Sequence, residues 1–455
     1  MTLSYRSKVV SCLILAGAAA LALAAAFGPH VCGIRVEFIL FAFTLLGVAT
    51  LHAHTLGVAL TGLATVTAYK VFFSSFHEGT GFLGLAFHME HEWVMLANLL
   101  CLLTGFALLS RHFEKSCVAE LLPNYLPNDW KGGFVLLVMV FLLSGFLDNI
   151  AAALIGAALA HQLFNGRVHI GYLAGIVAAS NAGGAGSVVG DTTTTMMWID
   201  GVNPLNVLHA YVAAAAALLF CGYFAARQQD NYSPIMKEDP KDLKVDWTRV
   251  GIVGLILVFA IGTNMTVNLR FSEYSDSFPF IGAAVWAALL VTIPVRRHDW
   301  EIMPETVRGS IFLLSLVTIA SMMPVEELPA ASWTSALALG FVSSIFDNIP
   351  LTKLALDQGG YDWGVLAYCV GFGGSMIWFG SSAGVALSSK FPEARSTGSW
   401  LKGGWHVVGA YVLGFAAVLF IMGWHPHAPH KAAKGEAAPV AEIAPAEASS
   451  QTQAE

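Results

Sequence analysis

Three carboxylates stand inside long apolar sequence in this chain: Asp148, Asp191 and Asp347. Two of them belong to a repeated tripeptide, Asp148-Asn149-Ile150 and Asp347-Asn348-Ile349. Each copy is followed by a glycine-rich, hydroxyl-rich stretch. The first runs from Gly183 through Gly190-Asp191-Thr192, the second from Gly373 through Gly380-Ser381-Ser382. Both read G-G-x5-G-[DS]-[TS], and they lie 190 residues apart. A carboxylate at membrane depth is costly, so its presence there points to function. The side chains of Asp148, Asn149, Asn181, Asp191, Thr192, Thr193, Asp347, Asn348, Ser381 and Ser382 are all hard-oxygen groups, and unwound backbone would add carbonyls. Such ligands suit Na+ or H+ rather than soft metals. Desolvation disfavours the charged form of a buried carboxylate, which can then hold either a proton or a cation. Competition for one carboxylate is enough to couple the two fluxes. Asp and Asn also favour helix N-caps, but matched copies in two repeats point beyond capping. For Thr194 and Thr195, helix packing is an equally good use of the hydroxyls.

The elements that must position these residues follow from hydropathy. The chain has 455 residues, 56% hydrophobic and 12% charged, with mean hydropathy +0.66. A soluble domain carries about 25% charged residues, so most of this chain is membrane-embedded. The net charge of −7 comes partly from tail and loop acid and makes no case for a nucleic-acid partner. Six cysteines without C-x-x-C spacing read as free thiols, and nothing in the sequence implies a cofactor. Arg6, Lys8 and the run Val9–Phe27 share the outline of a signal peptide, but the run is long enough to span and is expected to remain as a first helix.

Apolar runs cover roughly 9–27, 34–51, 55–73 and 92–110. The stretch 132–164 is apolar on both sides of Asp148-Asn149, and neither arm reaches the roughly 20 residues needed to cross. A re-entrant hairpin with the Asp-Asn turn at its tip fits. An interrupted span, 168–198, follows. Ordinary spans come at 204–226, 250–268, 278–295 and 309–324. A second hairpin (330–357), a second interrupted span (363–390) and a last span (404–424) repeat the pattern. With the N-terminus inside, 17 of the 23 Lys and Arg fall on inside segments, as the positive-inside rule requires. The two hairpins then enter from opposite sides. The expected fold is an all-α polytopic membrane protein with inverted repeats, about 11 spans and two hairpins, built for alternating access.

His88-Met89-Glu90-His91-Glu92 falls in an expected outside loop, and its H-x-x-H spacing is a weak metal signal. His52 and His54 read as a polar helix end. Residues 425–455, with His425, His427 and His430, read as a disordered tail.

The segments "FLDNIAAALIG", "ASNAGGAGSVVGDTTTTMMWI", "IFDNIPLTKLA" and "GFGGSMIWFGSSAGVAL" resemble the NhaD-type sodium/proton antiporters of the ion transporter superfamily, which also holds arsenite permeases and dicarboxylate/sodium symporters. The resemblance covers 132–200 and 330–424. It implies scaffold helices that dimerise (1–131 and 250–329), a mobile transport unit (132–226 and 330–424), a linker at 227–249 and a bacterial inner-membrane location. It carries ion-site roles onto Asp148, Asn149, Asp191, Asp347 and Asn348. Two departures stand out. Ala151, Ala152 and Ala153 replace the threonines usual after the first Asp-Asn. Lys353 follows the second, where the family pattern is apolar. A lysine there should seek Asp347 or Asp357, its ammonium partly replacing a bound Na+, or else snorkel to the outer interface. The function expected is exchange of Na+ (or Li+) for H+. An organic-acid or other anion transporter of the same superfamily is the alternative, disfavoured because three carboxylates would repel an anion. No nucleophile–base pair supports an enzyme.

Overall fold

The computed structural model describes residues 3–31, 33–51, 54–118, 126–187, 189–236, 244–271, 274 and 277–427. Cys32, His52, Val188, residues 237–243 of the expected linker, and the expected tail beyond 427 with His430 lie outside the described residues. The described residues are mostly helical, with two short two-stranded pairings among them, at 30–35 and 75–80.

The helices are α1 (Leu3–Phe27), α2 (Val36–Thr50), α3 (Thr55–Phe73), α4 (Gly81–Glu114), α5 (Trp130–Ser144), α6 (Asn149–Leu163), α7 (Ile170–Gly184), α8 (Thr192–Ile199), α9 (Leu205–Leu208), α10 (Ala210–Tyr232), α11 (Trp247–Arg270), α12 (Phe280–Thr292), α13 (Met303–Ser321), α14 (Trp333–Ser343), α15 (Asn348–Gln358), α16 (Trp363–Gly373), α17 (Ser382–Lys390), α18 (Thr397–Gly403) and α19 (Trp405–Ile421). Among the described residues, five stretches are long and apolar enough to cross a membrane, and the pair α18–α19, bent by 61°, makes a sixth. The chain is a multi-pass membrane protein.

Both Asp-Asn segments form breaks between two short helices. The arms have 15 and 15 residues in α5 and α6, and 11 and 11 in α14 and α15. All are shorter than the roughly 20 residues of a spanning helix. Local chemistry starts each pair. Asp129 Oδ1 accepts from Lys131 N at 3.1 Å ahead of α5, and Ser332 with Ser335 forms a capping box ahead of α14. The breaks repeat in backbone detail. Asp148 has φ −53°, ψ 139° and Asp347 has φ −55°, ψ 140°. Asp191 and Ser381, which open α8 and α17, are likewise extended in both copies.

Glycine lets each interrupted helix approach its hairpin. A Cβ on Gly183 would lie 2.0 Å from the Phe141 carbonyl oxygen, and one on Gly373 would lie 2.3 Å from the Gly340 carbonyl oxygen. No side chain fits there.

The helices pack in two groups. One holds α1–α4 and α11–α13. The other holds α5–α10 and α14–α19, where the partnering is reciprocal: α8 packs on α15, and α17 packs on α6. The groups meet chiefly where α15 touches α13 and α8 touches α4.

One expectation is overturned. His88-Met89-Glu90-His91-Glu92 is not in a loop; α4 begins at Gly81 and runs through it. The helix continues because its buried polar residues have partners on neighbouring segments. His88 Nδ1 lies 3.2 Å from Glu78 Oε2, and His88 Nε2 lies 3.0 Å from Ser321 Oγ. Glu92 meets Lys353. Cys12, Cys101, Cys117, Cys221 and Cys369 are free thiols.

Candidate functional site

Asp191 is the residue around which the breaks converge. It sits at the start of α8, buried, with 2% of its surface exposed. Its Oδ1 accepts from Asn149 Nδ2 and from Thr193 N, both at 3.3 Å. Its Oδ2 has no hydrogen-bond partner among the described residues, and neither does the buried Thr193 Oγ1. A buried polar atom left unpaired costs about 1–3 kcal/mol, so such a pair of oxygens is poised to take a proton or cation. Oδ2 faces the second repeat: a Cβ on Gly371 of α16 would lie 3.0 Å from it.

Hydrogen bonds tie the two repeats together here. Asn149 Nδ2 donates to Asn181 Oδ1 at 3.1 Å, and Asn181 Nδ2 donates to Ser375 Oγ at 2.9 Å. Sequence reasoning named Asn149 and Asn181 but passed over Ser375, although it follows Gly373-Gly374 in the repeated segment.

The second break is more fully satisfied. Asp347 Oδ1 accepts from Ile349 N at 3.0 Å, and Asp347 Oδ2 accepts from Ser382 Oγ at 3.3 Å. Asp347 therefore caps α15. Ser381 caps α17 through Gly384 N at 3.3 Å. Asn348 is buried, with its carbonyl accepting from Thr352 Oγ1 at 2.9 Å. The Thr194 hydroxyl bonds the Ser187 and Asp191 carbonyls, and the Thr195 hydroxyl bonds the Asp191 carbonyl at 2.9 Å. Those two threonines thus serve backbone.

Asp148 and Asp347 both act electrostatically on Asp191. The positive N-terminal ends of α6, α8 and α15 face their own carboxylates, which offsets part of the repulsion. The carbonyl ends of α5, α7, α14 and α16 lead into the breaks. Hard oxygens therefore dominate the breaks.

A cavity of about 520 Å³ reaches the site. Asp148, Asn149, Asp191, Thr192, Asn348 and Ser382 line it on one side. Residues from Leu99 to Glu114 of α4 and from Ile302 to Leu313 line the other. It therefore lies between the two packing groups. Exposed Glu114, Glu305 and Lys390, with Arg111, stand at its mouth.

Lys353 takes Asp357, one of the two carboxylates expected for it, and adds Glu92. It is 0% exposed, so it does not snorkel. Its Nζ donates to Asp357 Oδ1 at 2.7 Å and lies 3.0 Å from each Glu92 carboxylate oxygen. The bonds of the expected cation substitute go to these two carboxylates, not to Asp347. Glu92 escaped the sequence reading because it comes from a helix 261 residues away. No group of three or more His, Cys, Asp and Glu among the described residues is arranged to hold a metal.

Among curated proteins, the chain is similar to sodium/proton antiporter 1 of Arabidopsis thaliana, 28% identical over 293 residues, covering 57% of this chain and 49% of that protein. It is also similar to sodium/proton antiporter 2 of the same plant, 26% identical over 314 residues, covering 60% of this chain and 71% of that protein. With the Na+/H+ antiporter NhaD of Vibrio cholerae it shares 25% identity over 293 residues, covering 55% of this chain and 61% of that protein. The chain thus spans about half the length of the first plant relative. No family model matches it. By sequence the chain is similar to proteins named sodium/proton antiporters, NhaD among them.

Proposed function

We propose that the chain exchanges Na+ (or Li+) for H+ across a bacterial inner membrane, with its N-terminus in the cytoplasm. The observation that carries this reading is the buried, unpartnered Asp191 Oδ2 beside Asn149, at a junction of two repeats that a cavity reaches. Three carboxylates suit a cation and repel an anion, and relatives carry the name sodium/proton antiporter.

In this reading Asp191 and Asp148 hold Na+ or protons in turn. Asn149 and Asn181 orient the Asp191 carboxylate, Ser375 fixes Asn181, and Thr192 and Thr193 add hydroxyls. Asp347, Asn348, Ser381 and Ser382 form the second half of the site. Deprotonation makes room for Na+, and protonation expels it. The α5–α6 and α14–α15 pairs are inverted re-entrant hairpins within about 11 spans. Residues 132–226 and 330–424 move as a transport unit against the scaffold 1–131 and 250–329, through which two copies pair. The cavity, whose mouth holds Arg111 and Lys390 beside Glu114 and Glu305, is the cytoplasmic access route.

Proton movement in everted vesicles, on adding Na+, Li+, K+ or a dicarboxylate, tests this. Na+ and Li+ should release protons from the vesicle lumen. A response to dicarboxylate alone overturns the reading in favour of anion transport.

A further inference from the structure

Two histidines outside the candidate site face each other at the mouth end of the cavity. His112 stands in the last turn of α4, between Arg111 and Glu114, which line the mouth. His298 stands in the turn between α12 and α13. Both residues are buried, 2% and 5% exposed. His112 Nε2 bonds His298 Nδ1, and the rings meet edge to face with centroids 4.6 Å apart.

The outer partners fix every proton in this contact. His298 Nε2 lies 2.7 Å from the Leu289 carbonyl oxygen, which can only accept, so that nitrogen carries hydrogen. His298 Nδ1 is then the acceptor in the neutral ring, and His112 Nε2 donates to it. That leaves His112 Nδ1 as an acceptor, and it meets Arg249 Nη1, which can only donate, at 3.0 Å. Arg249 in turn lies 3.5 Å from Asp246, the residue that caps α11. The chain from Arg249 through His112 and His298 to Leu289 thus runs in one direction. A proton added to either ring sets two N–H groups against each other.

The charges around the pair do little to hold that proton. Arg249 and Lys115 repel it from His112; Asp299 attracts it, but Lys115 already donates to Asp299 at 2.5 Å. Beside His298, Arg296 pairs with Asp246 at 3.2 Å, and Arg297 adds a further positive charge. Helices α8 and α12, which pack on α4, have no charged side chain. Helix α13 and the turn before it bring Glu301, Glu305 and Arg308. Helix α3 brings His54 at one end and Lys70 at the other, and the 75–80 pairing brings His77 and Glu78 to the start of α4.

We propose that His112 and His298 form a proton-operated clasp, closed while both rings are neutral, which fastens the start of α11 and the turn before α13 to the end of α4. Histidine is the side chain whose ordinary titration falls between pH 5 and pH 8. A proton on either ring parts the chain, because a buried charge that faces another donor is costly. Asp299, which follows His298, pairs with Lys115 and lies 4.0 Å from Arg111. Parting the rings therefore shifts a carboxylate away from Arg111, and acid changes the charge at the cavity mouth. The clasp lies within the group of α1–α4 and α11–α13 and does not rest on the exchange reading.

Hydrogen–deuterium exchange of the purified full chain tests the clasp. With the pH dependence of the chemical exchange step divided out, uptake across 247–256 and 293–302 should rise several-fold between pH 8 and pH 5 in the wild type. His112→Gln combined with His298→Gln keeps a donor and an acceptor at each position but takes no proton, and its uptake should stay low at both pH values. His298→Ala breaks the chain outright, and its uptake should be high at both. Asp299→Asn removes the neighbouring carboxylate and should leave the rise in place. Wild-type uptake that ignores pH overturns the proposal, whether or not any variant folds. So does a double Gln variant that rises with the wild type, or an Asp299→Asn variant that loses the rise.

Discussion

At the scale of single residues, Asp191 and its neighbours carry the chemistry of the proposed exchange. Asp191→Asn keeps the Asn149 contact in shape but removes the charge that a cation needs. We expect Na+-driven proton movement to fall at least about a hundredfold, equivalent to about 2.7 kcal/mol, with the melting temperature nearly unchanged. Transport assays beside a thermal melt check both halves of that expectation. Ser375→Ala acts indirectly. It strands Asn181 Nδ2, which now donates to Ser375 Oγ at 2.9 Å, and should cost about 1–3 kcal/mol of stability. It should also raise the Na+ concentration for half-maximal exchange; an unchanged value would remove Asn181 from the site. The main acidic residues were legible in the sequence because a charge in apolar sequence stands out. Ser375 was not, because a serine in a glycine-rich turn has an ordinary local explanation.

At the scale of elements, the repeated glycines set how closely each interrupted helix meets its hairpin. Gly183→Ala and Gly373→Ala each force a methyl group against a backbone carbonyl. Overpacking of this kind costs about 1–3 kcal/mol or more, and a thermal melt should show both variants destabilised. Gly254→Ala on α11 is the control: nothing lies within 4 Å of its Cβ position, and helix propensity should leave that variant at least as stable. Outside the spans, burial pushes the Asp299 carboxylate up, but Lys115 (2.5 Å away) and Arg111 outweigh it and hold it below its usual value. A carboxylate so depressed stabilises the fold above its unfolded pKa, and that contribution is lost only as pH falls through the lower folded value. Lys115→Ala should therefore lower the melting temperature slightly at pH 7 and not at pH 2. Arm lengths and the Asp-Asn turns made both pairs of short helices legible. The start of α4 was misread because His88 to Glu92 looks like a polar loop until Glu78, Ser321 and Lys353 are seen to satisfy it.

At the scale of the whole molecule, two groups of helices enclose a cavity on one side of the Asp148–Asp191–Asp347 set and are bridged by Glu92–Lys353 on the other. Hydropathy could find helices but not their partners, so neither the cavity nor the bridge was visible before the fold. The central claim is that Na+ and H+ compete for the same carboxylates. Its most direct test is the release of protons when Na+ binds to the purified protein in weakly buffered detergent solution. The account predicts that Na+ addition releases protons from the wild type, less as the pH is raised, and none from Asp191→Asn. Na+ binding to the wild type with no proton released would contradict it.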